Sequence, residues 1–130
     1  MTRVTGIGGI FIKARDPKAL GEWYRKHLGI DVQEWGGTAF RWNEPSPQPE
    51  GLTVWSLFPE SSTYFEPSHA PFMVNYRVGN LAELLDTLRA EGCSVDEKTD
   101  SSEFGKFGWV MDPEGNRIEL WEPPPGRFPG

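Results

Sequence analysis

The stretch DPEGNRIELWEP, residues 112–123, decides how this chain folds. Asp112-Pro113-Glu114-Gly115-Asn116 is turn chemistry, with proline presetting one dihedral and glycine free to take positive φ. The run that follows alternates: Ile118 and Leu120 are apolar, while Arg117, Glu119 and Trp121 lie between them. Period two marks a strand with one oily face and one mixed face. Glu119 therefore sits mid-strand on the mixed face. Three roles are open to it: a solvent-facing charge, a metal ligand, or the floor of a pocket.

Working outward, the same signals recur along the chain. Gly8–Ala14 alternates as a strand, and Asp16-Pro17 then opens a helix, with Asp as N-cap and Pro in the first turn. That helix places Leu20, Trp23, Tyr24 and Leu28 on one side before Gly29 closes it. Short strands are expected at Asp31–Trp35 and Thr38–Trp42 across Gly36-Gly37, followed by the Pro-rich loop NEPSPQPEG and a strand at Leu52–Phe58. The pattern then repeats. Phe72–Val78 is a strand, Asn80 caps a helix with Leu81, Leu84, Leu85 and Leu88 inward, and strands follow at Val95–Thr99, Phe107–Met111 and Arg117–Trp121. Each half reads β-α-β-β-β. One offset of 64 residues aligns Asp16 with Asn80, Leu20 with Leu84, Gly51 with Gly115, Val54 with Ile118 and Pro59 with Pro123.

The expected fold is α+β, one domain over residues 1–130 made of module one at about 7–58 and module two at about 72–122. A helix covers one face of each module's sheet, so the other face needs the second module. Side by side, the modules curl into a half-open, cup-shaped β-barrel. Ile10, Ile12, Val74, Tyr76, Ile118 and Leu120 then face the helices. Gly9, Phe11, Lys13, Met73, Asn75, Arg77, Arg117, Glu119 and Trp121 face the cup. Pairing Val54 with Ile118 adds Thr53, Trp55 and Leu57 to the cup side.

Composition narrows the function. A net charge of −6 disfavours nucleic acid and anionic membranes, both of which call for clustered Lys and Arg. No apolar run approaches membrane-spanning length, the first residues lack the apolar segment of a signal peptide, and the lone Cys93 forms no internal disulfide. These features predict a cytoplasmic protein. Aromatics reach 13% with six tryptophans, which predicts an aromatic-rich core and pocket.

With RDPKALGEWYRKHLGI at 15–30, FMVNYRVGNLAELLDTLRAEG at 72–92 and DPEGNRIELWEP at 112–123, the chain resembles the vicinal oxygen chelate superfamily. That group includes glyoxalase I, extradiol dioxygenases and the fosfomycin- and bleomycin-resistance proteins. The resemblance implies the two-module cup, a homodimer and, in many members, a metal held by His or Gln from a first strand and Glu from a fourth strand of each module. Counted back from the helix caps, the first-strand positions are Gly9 and Met73. The fourth-strand positions are Glu119 and, 64 residues earlier, Trp55. Glycine offers no ligand, tryptophan only a donor, and a thioether is too soft for Mg, Mn or Fe. One carboxylate does not hold a catalytic divalent ion. No metal and no cofactor are therefore expected, and His27 and His69 read as surface residues.

The expected site is an aromatic cup taking a small organic ligand. Phe11, Trp55, Met73, Asn75, Arg77, Arg117 and Trp121 form its ligand-binding residues, with Trp35, Phe40 or Trp42 and Trp109 at the rim. Glu119 is the candidate acid or base, and a buried carboxylate needs a partner, for which Arg77 is the first choice. The loop TDSSEFGKFG, 99–108, offers Glu103, Phe104 and Lys106 as a gate. Two bland readings stand beside these: aromatics that fill the cup as core, and an Arg–Glu cluster that satisfies itself. The functional expectation is a metal-free binding protein like the bleomycin-resistance branch. The alternative is a lyase, isomerase or dioxygenase of the same superfamily, metal-dependent or working through Glu119.

Overall fold

The computed structural model describes residues 3–42 and 51–125. Strand β1 (Val4–Ala14), helix α1 (Pro17–Leu28), β2 (Gly37–Arg41) and β3 (Leu52–Pro59) make the first half. The second consists of β4 (Phe72–Val78), α2 (Leu81–Ala90), β5 (Ser94–Val95), β6 (Asp100–Ser102), β7 (Gly105–Met111) and β8 (Arg117–Glu122). The eight strands form one curled, unclosed sheet in the order β2-β3-β1-β4-β8-β7-β5, with β6 paired to β7. At its centre β1 and β4 run antiparallel, and each has a parallel partner outside it, β3 and β8 respectively.

Both helices start where the sequence says. Asp16 accepts from the Ala19 N–H at 3.0 Å, and Asn80 accepts from the Glu83 N–H at 3.1 Å. Gly29 ends α1 at φ 68°, a left-handed conformation that glycine takes without penalty. Under α2 lie Leu81, Leu84 and Leu85, packed on Val78 and Leu120. Each fully buried leucine contributes about 2 kcal/mol, so this stripe ties α2 to β4 and β8. Helix α1 is seated differently from the expectation. Leu20 and Tyr24 pack on Trp55, Leu57 and Val32, but Trp23 and Leu28 are exposed. Gly21 sits so near Val32 that an added Cβ would lie 3.3 Å from its methyl. Gly21 belongs to the contacting face with Leu20 and Tyr24, and that face leaves Trp23 and Leu28 outside it.

Four element expectations need correction, one of them the strand at Val95–Thr99, where only Ser94–Val95 is strand (β5). β1 starts at Val4, four residues before Gly8. Residues 31–35 form a turn instead of a strand, with the Gln33 N–H donating to the Gly37 carbonyl and the Gly36 N–H to the Gln33 carbonyl, both at 2.9 Å. The stretch expected as a loop at 99–108 contains β6 and a tight turn into β7. Of the Pro-rich loop, residues 43–50 lie outside the described residues.

The register between the halves decides which side chains share the concave face. Gly9 lies opposite Asn75 and Phe11 opposite Met73, the pairing required if Gly9 and Met73 are counterparts. That register is compatible with the 64-residue offset for β1 and β4, which the two caps, Asp16 and Asn80, also keep. The offset fails for β3 and β8. Phe11 pairs with Ser56, whereas Phe11's counterpart Asn75 pairs with Glu119. Module one is thus one residue longer between its first and last strands, and Ser56 is the counterpart of Glu119. Thr53, Trp55 and Leu57 consequently face α1, where Trp55 meets Tyr24 with ring centroids 4.9 Å apart.

Candidate functional site

The concave face is built around Glu119, which is 1% exposed. Its strand parity follows from Ile118 and Leu120 turning under α2, which leaves the carboxylate on the opposite face. Neighbouring strands flank it in register with Asn75 of β4 and Trp109 of β7. Asn75 Nδ2 donates to Oε1 at 2.7 Å, and Trp109 Nε1 donates to Oε2 at 3.0 Å. The Tyr64 hydroxyl, from the connection between β3 and β4, also donates to Oε2. All of these donors are uncharged.

Burial pushes the Glu119 carboxyl above its ordinary range. Hydrogen bonds from Tyr64, Asn75 and Trp109 and the charge of Arg117 pull the other way without winning. Tyr64 is pushed well above an ordinary phenol, first by its own burial and then by Glu119 beside it. The hydroxyl therefore stays a donor. Buried polar groups are normally partnered, and Asn75 Oδ1 is an exception, lacking any partner in the structure. It lies where a side chain on residue 8 would stand, 2.2 Å from a Cβ placed on Gly8. Glycine at that position makes room for Asn75 to reach Glu119.

Around these groups the face is filled. Phe11, Phe65, Met73 and Trp109 form one buried cluster, with Val54, Phe58 and Phe107 against it. Phe65 is 0% exposed and comes from the same connection as Tyr64. Phe58 stacks on Tyr64 with centroids 5.7 Å apart and planes at 17°, and Trp109 meets Tyr64 edge-on at 6.2 Å and 88°.

The residues expected from the sequence distribute as follows. Phe11, Met73, Asn75, Arg117 and Trp121 join Glu119's side of the sheet, whereas Trp55 does not. Arg77 is not the partner of Glu119. It pairs in register with Trp121, and its guanidinium lies 5.4 Å from the Trp42 ring. Arg117 is nearer, its guanidinium 4.9 Å from the Trp109 ring, but it is held by the Glu66 carbonyl and, at 3.7 Å, by Asp96. Its Nε is buried without a partner. Trp121 is buried, donates to the Phe104 carbonyl at 2.7 Å and stacks on Phe107. In the rim, Trp35, Phe40 and Trp42 are exposed, and Phe40 pairs with Thr53 on the α1 side. In the gate loop, Lys106 reaches Glu122 at 3.9 Å. Tyr64 and Phe65 were missed, because the connection PESSTYFEPSHAP carries turn residues and no periodicity.

Glu119 lines neither of two hollows formed among the described residues. One is a cavity of about 200 Å³ behind Trp109, against Arg117, Asp96 and Met111. The other is an open groove of about 900 Å³ between the end of β1 and α1, lined among others by Lys13, Arg15, Trp23, Glu60 and His69.

The metal positions of the resembled superfamily become Gly9, Ser56, Met73 and Glu119 once the register is corrected. This set does not fit a divalent ion. It offers one carboxylate, and that carboxylate already accepts from Tyr64, Asn75 and Trp109. Among the described residues no three His, Cys, Asp or Glu cluster as a metal site. His27 and His69 are both exposed.

Residues 9–121 match the model of the glyoxalase-like domain. The chain belongs to that family. Solved structures with the same fold include methylmalonyl-CoA epimerase from Mycobacterium tuberculosis, at 22% identity and TM-score 0.65, covering 96% of this chain and 92% of that one. A methylmalonyl-CoA epimerase in complex with methylmalonyl-CoA and NH4+ matches at 16% identity and TM-score 0.68, covering 97% and 99%. A glyoxalase/bleomycin resistance protein/dioxygenase superfamily member from Vibrio splendidus 12B01 matches at 11% identity and TM-score 0.57, covering 89% and 97%. No curated protein matches the chain. At these identities the structures share the fold with this glyoxalase-like protein, and the two-module resemblance drawn from the sequence holds. Among the described residues no helix is long and apolar enough to cross a membrane.

Proposed function

We propose that this glyoxalase-like protein binds a small organic molecule on its concave face, with Glu119 as the polar anchor and without a catalytic divalent metal. The observation that carries the reading is a buried carboxylate met only by neutral donors, beside the unpartnered Asn75 Oδ1. Aromatic walls with a few converging polar groups are the usual make-up of a small-molecule site. A ligand bearing a hydrogen-bond donor would be anchored by Glu119. The test is a fluorescence and calorimetric titration with aromatic and cationic compounds. Binding to the wild type that weakens about tenfold or more in Glu119→Gln supports the reading, since about 1.4 kcal/mol is tenfold. Equal binding in both proteins, or one Zn, Ni, Mn or Fe per chain that is lost in Glu119→Ala, defeats it.

A second reading is favoured by one further observation. Burial raises the Glu119 carboxyl, and a carboxyl raised toward neutrality exchanges protons well. On that reading the protein is an isomerase or lyase in which Glu119 takes or gives a proton on carbon. Deuterium exchange into candidate carbon acids, present in the wild type and absent in Glu119→Gln, distinguishes chemistry from binding alone.

A further inference from the structure

Tyr64 belongs to a connection with no role in either helix or sheet, yet its hydroxyl is one of the donors on Glu119. The ring lies on an aromatic bed, stacked on Phe58 and edge-on to Trp109. Unlike its neighbours in the cluster it is 38% exposed, whereas Phe65 is 0% exposed. The ring therefore stands between solvent and Glu119.

The backbone around it is pinned. The Ser62 N–H donates to the Pro59 carbonyl, the Glu66 N–H to the Thr63 carbonyl and the Ser68 N–H to the Phe65 carbonyl, all between 2.9 and 3.0 Å. Arg117 holds the Glu66 carbonyl from the sheet. With Phe65 buried next door, the backbone of the strap is anchored on both sides of Tyr64, and only a χ1 rotation would be needed to lift the partly exposed ring off Glu119. Rotations of this kind in exposed side chains are fast.

We propose that Tyr64 occupies the ligand position itself. On this view the molecule the face takes is a neutral, phenol-sized aromatic with one hydrogen-bond donor, which replaces the tyrosine ring on Phe58 and its hydroxyl on Glu119. The inference rests on the reading of the concave face given above and adds the class of ligand. Three features of the bed specify it: a flat slot against Phe58, an edge contact at Trp109, and an acceptor whose hydrogen-bond donors are all uncharged. A compact ammonium without a ring would forfeit the stack. A plain hydrocarbon would leave Glu119 short of a donor, which costs the desolvation of the unpaired group.

Removing the tyrosine ring leaves a ring-shaped space, and such spaces take up matching small aromatics. The experiment uses the full chain with 4-methylphenol as probe and toluene as the control lacking the hydroxyl, followed by calorimetry and thermal shift. Tyr64→Ala is expected to bind 4-methylphenol about tenfold or more tightly than the wild type does, and about tenfold more tightly than it binds toluene. Equal affinity for toluene and 4-methylphenol, or no gain over the wild type, overturns the proposal. Should Tyr64→Ala not fold, Tyr64→Phe serves, because it keeps the stack and gives up the hydroxyl. It is expected to be displaced more easily and to bind 4-methylphenol more tightly than the wild type, and no gain there overturns the proposal as well. If the tyrosine variants show no gain while the wild type still binds aromatics in a Glu119-dependent way, Tyr64 is not a stand-in and the concave-face reading survives. If wild-type binding is also absent, both fall.

Discussion

Strands β3 and β8 occupy matching places in the two halves, and the residues at their matching positions have opposite surroundings. Glu119 on β8 lies between Asn75 and Trp109, each of which directs an N–H at it. Ser56 on β3 lies between Phe11 and Gly37, neither of which carries a side-chain donor. Both positions are buried. The fold thus repeats a backbone frame but prepares only one side for a charge. A buried carboxylate is tolerable where donors are already in place and costly where they are not.

The sharpest way to break that comparison is to put the carboxylate on the wrong side. Ser56→Glu places a buried acid beside Phe11, and the expected loss is about 3–5 kcal/mol at neutral pH, in the range for an uncompensated buried charge. Urea unfolding measures it. A variant as stable as the wild type would mean that β3 supplies donors after all, and that the asymmetry between the halves is only apparent.

Next in size is the loss of the acceptor on the prepared side. Glu119→Ala strands the buried donors of Asn75 and Trp109, at about 1–3 kcal/mol for each unsatisfied group, partly offset by no longer burying a carboxyl. A net loss of about 2–4 kcal/mol is expected. Ser56→Ala, by contrast, should lie within about 1 kcal/mol of the wild type. Similar losses in the two variants would remove the contrast.

Much of this frame is legible in the sequence, and the misses have identifiable physical causes. The caps at Asp16 and Asn80 and the alternation in β1, β4 and β8 carry local signals, which is why two modules and the inward aim of Glu119 follow from the chain. A single offset, which assumes equal spacing in both halves, puts Trp55 on the wrong face. One extra residue in module one, invisible to a period-two pattern, flips every side chain of β3. Arg77 matches Glu119 in charge and shares its concave face, but face parity says nothing about distance along the strand. Along β4 it lies two residues beyond Asn75, beside Trp121, and its guanidinium is taken up by the Trp42 ring. Tyr64 had no signal to offer. Its role depends on where a non-periodic connection crosses the sheet, which is a tertiary fact.

The pH dependence of stability sharpens the comparison further. Glu119's carboxyl is raised in the folded state, so between the unfolded value of about 4.3 and its folded value the native protein holds a proton that the unfolded chain has released. Stability from this group is then complete below the unfolded pKa and is lost as pH rises through the folded one. Glu119→Gln cannot titrate. The difference in unfolding free energy, wild type minus variant, should fall with rising pH across that window and level off above it. Chemical denaturation from pH 4 upward provides the curve. A difference that rises with pH would mean the donors overcome burial, and that the carboxyl is held ionised by Tyr64, Asn75 and Trp109.

The smallest expected effect is on ligand binding, and it tests the corrected register directly. Trp55 packs on Tyr24 and Leu57 beneath α1, across the sheet from Glu119. Trp109 lies on the concave face with its indole N–H on the carboxylate. Trp55→Phe keeps an aromatic ring under the helix, so it should lower stability by about 1–2 kcal/mol through the volume lost. It should leave the affinity for any aromatic that binds in a Glu119-dependent way unchanged within about twofold, since no atom facing the ligand moves. Trp109→Phe removes a donor from Glu119 and should weaken the same binding. The fluorescence change on binding should likewise survive in Trp55→Phe and shrink in Trp109→Phe. If Trp55→Phe instead abolished binding while the protein stayed folded, Trp55 would line the site, the one-residue difference between the halves would be wrong, and Glu119's counterpart would again be Trp55 instead of Ser56.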